Sequence, residues 1–110
     1  MLNECRLAMA ITETDFDGEL CLLMDAAARD LKIAGVVLPG LVSFEATNEG
    51  MADNSDLTDP LVMRAIFTYV RAHFQSPPDY DRLVASYETQ KTQLMHAANY
   101  TYYGEGEAKC

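Results

Sequence analysis

Residues 59–74 read Asp59-Pro60-Leu61-Val62-Met63-Arg64-Ala65-Ile66-Phe67-Thr68-Tyr69-Val70-Arg71-Ala72-His73-Phe74, and this stretch decides the fold. Asp59 offers a capping carboxylate, and Pro60 suits the first helical position, where its missing N–H is not needed. At 100° per residue the run is apolar nearly all the way round, and its only polar stripe is Arg64, Thr68 and Arg71. A helix with so narrow a wet face has to be covered on several sides. Two sources of cover stand open in the sequence: an intramolecular core and a neighbouring subunit.

Helices are expected on both sides of this one. Before it, Phe16, Leu20, Leu23, Met24, Ala27, Leu31 and Ala34 recur on one face of a helix over about Asp15–Ala34. Thr14 or Asp15 is the expected cap, the acids of the first turn suit the helix dipole, and Gly35 marks the stop. A shorter helix is expected over about Leu2–Met9. After residue 74, Ser76-Pro77-Pro78 ends the run and Asp79 caps a further helix. Its inner face is expected to hold Tyr80, Leu83, Val84, Tyr87, Leu94, Met95 and Ala98. The expected architecture is therefore all-α: three main helices, a short N-terminal one, and a single domain over 1–98. Residues 99–110, with Tyr100, Tyr102 and Tyr103 followed by GEGEAKC, read as a flexible tail.

The connection 35–58 is the least regular part. Val36-Val37-Leu38 and Leu41–Phe44 flank Pro39-Gly40, which fits a type II turn and a short hairpin. From Glu45 to Thr58 the chain is polar, with Glu45, Glu49, Asp53 and Asp56 and no base, and reads as a long acidic loop.

Charge narrows the function. The 110 residues carry 17 acids and 8 bases, a net charge of −9, and the segment from Glu13 to Asp59 alone accounts for all of it. A phosphate-neutralising nucleic-acid binder clusters Lys and Arg instead. No apolar run is long enough for a membrane span, and the start MLNECRLAMA does not resemble a signal peptide. Three cysteines without a CxxC pair suggest a reduced, cytosolic chain and no zinc site.

Active-site chemistry is not expected. Glu13-x-Asp15-x-Asp17-Gly18 starts like a calcium loop, but the twelfth position is Met24, which cannot supply the closing carboxylate. His73 and His96 stand alone near helix ends, where they meet the dipole more readily than a metal. No nucleophile–base set, phosphate-cradling glycine loop or cofactor motif is present.

The stretches ITETDFDGELCLLMDAAARDL (11–31), DPLVMRAIFTYVRAHF (59–74) and PPDYDRLVASYETQKTQLMHAANYTYYG (77–104) resemble the small head–tail connector proteins of long-tailed bacteriophages. These are also called adaptor or head-completion proteins. The most telling piece runs from Asp79-Tyr80-Asp81-Arg82-Leu83 through Ser86-Tyr87 and Gln90-Lys91 to Leu94 and Tyr100-Thr101. Asp59-Pro60 with Ile66, Tyr69 and Val70 supports it. The likeness spans roughly Ile11–Tyr103, apart from 35–58.

This resemblance implies a non-enzymatic, all-α virion subunit, made in the host cytoplasm, that forms a ring beneath the portal at the head–tail joint. The ring would be dodecameric, like the portal, and would extend the DNA channel without binding DNA specifically. It would also help retain packaged DNA and carry a downstream head-completion or tail protein. Within that frame, Glu45, Glu49, Asp53 and Asp56 are expected to face the channel. Tyr100, Tyr102 and Tyr103 are expected to dock on the portal or an adjacent subunit, with folding back onto the chain's own helices as the alternative. Arg64, Phe67, Arg71 and Phe74 are expected on a subunit interface. No cofactor or metal is expected. A different class also fits the charge: a small acidic helical binding module, such as a DNA-mimic inhibitor or regulator.

Overall fold

The computed structural model describes residues 1–97, so the tyrosine-rich segment expected to be a tail lies outside the described residues. Four helices, α1 (Leu2–Met9), α2 (Asp17–Ile33), α3 (Pro60–His73) and α4 (Tyr80–His96), are joined by two strands, β1 (Phe44–Thr47) and β2 (Gly50–Asp53). The helix starting at Pro60 forms as its sequence predicts, with the Asp59 carboxylate accepting from the N–H groups of Leu61 (3.0 Å) and Val62 (3.2 Å). It lies between α2 and α4 and contacts both extensively. Val62, Ala65, Ile66 and Val70 are fully buried in the shared core with Leu20, Met24 and Leu31 of α2. Each large apolar side chain buried there stabilises by roughly 1.5–3 kcal/mol.

The all-α expectation is corrected: the molecule is α+β, because part of the expected acidic loop pairs as an antiparallel hairpin. Phe44 pairs with Asp53 and Thr47 with Gly50, and Asn48-Glu49 make the turn. The hairpin is displaced from the one the Pro39-Gly40 pair suggested. Beyond the strands the segment remains zipped: Ser43 and Asn54, and Leu41 with Asp56 and Leu57, share backbone hydrogen bonds. Ser55 Oγ both accepts from Ser43 N–H and donates to its carbonyl. Period-two alternation explains why this polar stretch holds. Phe44, Ala46, Met51 and Asp53 share one face. Phe44 and Met51 pack on the core from that face.

Three carboxylates tie the elements together. Asp17, at the start of α2, receives both Nε (2.8 Å) and Nη2 (3.0 Å) of Arg6 from α1, a fork that holds orientation as well as charge. Asp30 on α2 accepts from Tyr87 Oη (2.6 Å) and Lys91 Nζ (3.2 Å) on α4. Asp53 at the end of β2 accepts from Leu2 N–H (2.8 Å) and the Met1 amino group (2.7 Å), and so caps α1 from a distance. Partial burial pushes the Asp53 carboxyl upward, but the bonds from Met1, Leu2 and Ser55 outweigh it and hold the group at about 2. Burial, by contrast, pushes the thiols of Cys5 and Cys21 up to about 11 and about 12, so both are inert packing residues.

Left-handed residues close the C-termini of α1 and α2. Gly35 (φ 97°) ends α2 as expected, with Gly35 and Val36 N–H returning to Lys32 and Leu31 carbonyls. The same double return ends α1, but there the left-handed residue is Ala10 (φ 58°). The helix starts expected at Thr14 or Asp15 and at Asp79 differ in detail. Phe16 precedes α2 without a side-chain cap, and Asp79 pairs with Arg82 instead of capping.

Replacing Ala10→Gly removes the left-handed penalty and is expected to stabilise the fold by about 1 kcal/mol in chemical denaturation. Gly40→Ala is expected to lower the melting temperature, because a Cβ there would meet Leu57 Cα at 2.6 Å. For Asp53 the sign follows from its lowered pKa. Its contribution is complete above the ordinary value of 3.8 and is lost as pH falls toward about 2. Asp53→Ala should cost about 1 kcal/mol at neutral pH, and acid titration of the Asp53→Asn variant should show a shallower loss of stability across that window than the parent.

A candidate assembly surface on helix α3

The polar stripe of α3 points away from the face buried between α2 and α4. Thr58 and Pro60 at its start and α1 alongside it turn that stripe into a trough of about 410 Å³. Met63 and Phe67 supply apolar walls, Ala8 and Glu4 of α1 close the other side, and Arg64, Thr68 and Arg71 run along its length. Thr68 is buried and donates its hydroxyl to the Arg64 carbonyl (2.9 Å), which removes the one neutral polar group of the stripe from the solvent-facing inventory. Arg71 reaches the Ala8 carbonyl with Nη2 (3.4 Å) and so bridges to α1. Arg6, Arg29, Arg82 and Lys91 all rest on carboxylates, whereas Arg64 and Arg71 have no carboxylate partner among the described residues. In a chain of net charge −9, two such guanidiniums flanking a partly apolar trough give it a chemistry that suits acidic and aromatic groups.

The four residues expected on a subunit interface therefore separate. Arg64, Phe67 and Arg71 come together in the trough, while Phe74 is buried and meets Phe16 edge to face at 5.3 Å. The four acids separate as well. Glu45 and Glu49 project from the hairpin into solvent. Asp53 is engaged at the start of α1, and Asp56 accepts from Leu41 N–H. Tyr100, Tyr102 and Tyr103 lie outside the described residues. Of the expected inner face of α4, Leu83, Tyr87 and Leu94 are buried, whereas Tyr80 and Met95 are partly open to solvent.

His73 is placed by aromatic contacts, with its ring 4.3 Å from that of Tyr69 and 5.8 Å from that of Tyr80. Among the described residues, no group of His, Cys, Asp or Glu has the arrangement to hold a metal, and no helix is long and apolar enough to cross a membrane. The trough itself escaped sequence reasoning because its second wall comes from α1, some sixty residues away. The signal available was the Arg64–Thr68–Arg71 stripe.

No curated protein and no solved structure matches the chain. A family model described as "Phage connector protein" matches residues 1–101 and so covers every element of the fold. That description carries a structural role in the phage particle, in company with other head and tail proteins. The chain belongs to this phage connector protein family.

Proposed function

We propose that the protein is the repeating subunit of a ring at the head–tail joint, docked on the portal, extending the DNA channel and completing the head for tail attachment. The observation that carries this reading is the α3 trough. A helix that is apolar nearly all round keeps one face out of the core, and that face is concave, apolar and flanked by arginines without carboxylate partners among the described residues. A head-to-tail contact, in which a convex patch of one copy enters a concave patch of the next, generates a closed ring when its rotation closes. The ring follows the portal's twelvefold symmetry in this reading. The tyrosines 100, 102 and 103 serve contacts with the portal or an adjacent subunit in the assembled particle.

The hairpin is the part of each subunit placed toward the channel. Glu45 and Glu49 supply its exposed carboxylates, and Asp53 and Asp56 hold its base in place. Electrostatic repulsion of phosphates decays over about 8 Å at physiological ionic strength, so these acids act only on DNA passing close to the hairpin. A channel lined in this way lets DNA slide without sticking.

Mass measurement of the protein alone and after mixing with portal particles tests the ring. Twelve copies are expected per portal particle, and a chain that never joins the portal overturns the reading in favour of an acidic regulator of a basic protein. Arg64→Glu places a carboxylate in the trough and is expected to lower portal-templated assembly at least about tenfold, with the circular dichroism unchanged. Neutralising Glu45→Gln and Glu49→Gln together should alter DNA retention or ejection from assembled particles while leaving the melting temperature where it was; particles that behave like the parent in both assays would sink the channel assignment.

A further inference from the structure

We infer that a depression walled by α2, α3 and α4 is a recognition site for an arginine side chain presented by a partner protein. Asp30 comes from α2, Tyr69 and His73 from α3, and Tyr80, Tyr87 and Glu88 from α4. Helical spacing gathers them. Tyr69 and His73 stand one turn apart on α3, and Tyr80, Tyr87 and Glu88 recur on one face of α4. The rings form a continuous series: Tyr80 meets His73 at 5.8 Å, His73 meets Tyr69 at 4.3 Å, and Tyr69 meets Tyr87 at 5.2 Å. Ring faces of this kind attract a cation held within about 6 Å. Tyr80, an expected inner-face residue of α4 that is 44% exposed, is the open wall of the site.

The carboxylates set the sign of the charge that fits. Tyr87 Oη and Lys91 Nζ both donate to Oδ2 of Asp30, and Lys91 meets Glu88 at Oε2 (3.3 Å). Each carboxylate thus keeps its second oxygen, among the described residues, for a further donor. One ammonium against two carboxylates also leaves the site one negative charge in excess. Lys91 does not line the depression, but its Nζ lies 5.4 Å from the centroid of the Tyr87 ring, so this aromatic wall already accepts a cation. Burial, together with the charge of Asp30, holds the Tyr69 phenol above its ordinary value, which shows the negative field reaching that wall.

Size and hydrogen bonding select the guanidinium. The depression holds about 290 Å³, at the lower edge of the roughly 300–1,000 Å³ of small-molecule sites, so a single side chain suits it better than a cofactor. A quaternary ammonium would lie on the rings but donate nothing to the carboxylates, and a lysine ammonium is a strongly hydrated point charge. A guanidinium stacks its plane on an aromatic face while its edge donates to a carboxylate. At 100° per residue, Tyr69 and His73 lie about 140° and 180° round α3 from Arg64. The site therefore stands apart from the trough, and its ligand chemistry does not depend on ring formation.

The test titrates the full chain, without portal, with N-acetylarginine amide and follows the ring resonances of Tyr69, His73, Tyr80 and Tyr87 by NMR. Saturable shifts at these rings are expected, with the uncharged isostere N-acetylcitrulline amide binding at least about fivefold more weakly. Equal binding of the two, equal binding of tetramethylammonium, or no saturable shift at these rings overturns the proposal. Free arginine, whose own carboxylate is repelled by Asp30 and Glu88, is expected to bind more weakly than the capped amide; tighter binding would assign the site to a free metabolite and overturn the partner-protein assignment. Glu88→Gln and Tyr80→Ala, both at exposed positions, should each weaken binding about two- to fivefold with helical content retained, and an unchanged affinity in either variant counts against the site. Glu45→Gln removes the same charge from the hairpin and is expected to leave the affinity where it was. A loss there equal to that of Glu88→Gln would mean that net charge alone attracts the probe, and would overturn the proposal.

Discussion

Everything in this molecule is arranged around the burial of α3. Val62, Ala65, Ile66 and Val70 are buried in the core that α3 shares with its neighbours, and among the described helices α3 is the most apolar. Covering such a helix takes neighbours on more than one side, and a 110-residue chain has few elements to give. Two long helices take the broad apolar faces and α1 leans on the edge. What remains is one strip, apolar at its walls and cationic along its length. That residue of an intramolecular packing problem is the feature best suited to an intermolecular role.

The acidic residues divide by task in a way that bulk charge conceals. Asp17, Asp30 and Asp53 each bind an element distant in sequence: α1 to α2, α4 to α2, and the start of α1 to the hairpin. These contacts are charge-assisted and carry geometry as well as energy, because the partner is a guanidinium fork, a buried phenol or a pair of backbone donors. Glu45 and Glu49 take no part in this scaffolding and remain at the hairpin tip, exposed. Charge that builds the fold and charge that stays in solvent thus lie only a few residues apart in the same acidic segment.

Much of the fold was legible in the sequence where local chemistry is strong. Asp59-Pro60 starts a helix because a carboxylate and a fixed φ both favour it there, and Gly35 ends one because its φ is positive. The hairpin was hidden for an equally local reason. Its strands, Phe44-Glu45-Ala46-Thr47 and Gly50-Met51-Ala52-Asp53, contain few strong strand formers and a turn, Asn48-Glu49, without the usual Asn-Gly signal. Their pairing is sustained by Phe44 and Met51 packing onto the core, by Asp53 reaching α1, and by the Ser43–Ser55 bonds below the strands. None of these contacts is visible until the chain has folded. Phe74 shows the complementary case: it was grouped with Arg64, Phe67 and Arg71 as an interface residue, but it is buried against Phe16, next to a turn through Gln75 and Ser76, both at positive φ.

The sequence by itself determined the four helices, the dominance of the one beginning at Pro60, the acidic character of residues 13–59 and the likeness to phage connector proteins, since all of these rest on spacing, composition and order. The tertiary structure decided which carboxylates are structural and which are free, that the connection is a paired hairpin, and that Arg64, Phe67 and Arg71 line a trough. The physical reason is the same in each case. A charge or an apolar stripe acquires its role from what faces it, and here the facing group is contributed by Arg6, Leu2, Ala8 or Tyr87, residues that only packing brings within reach.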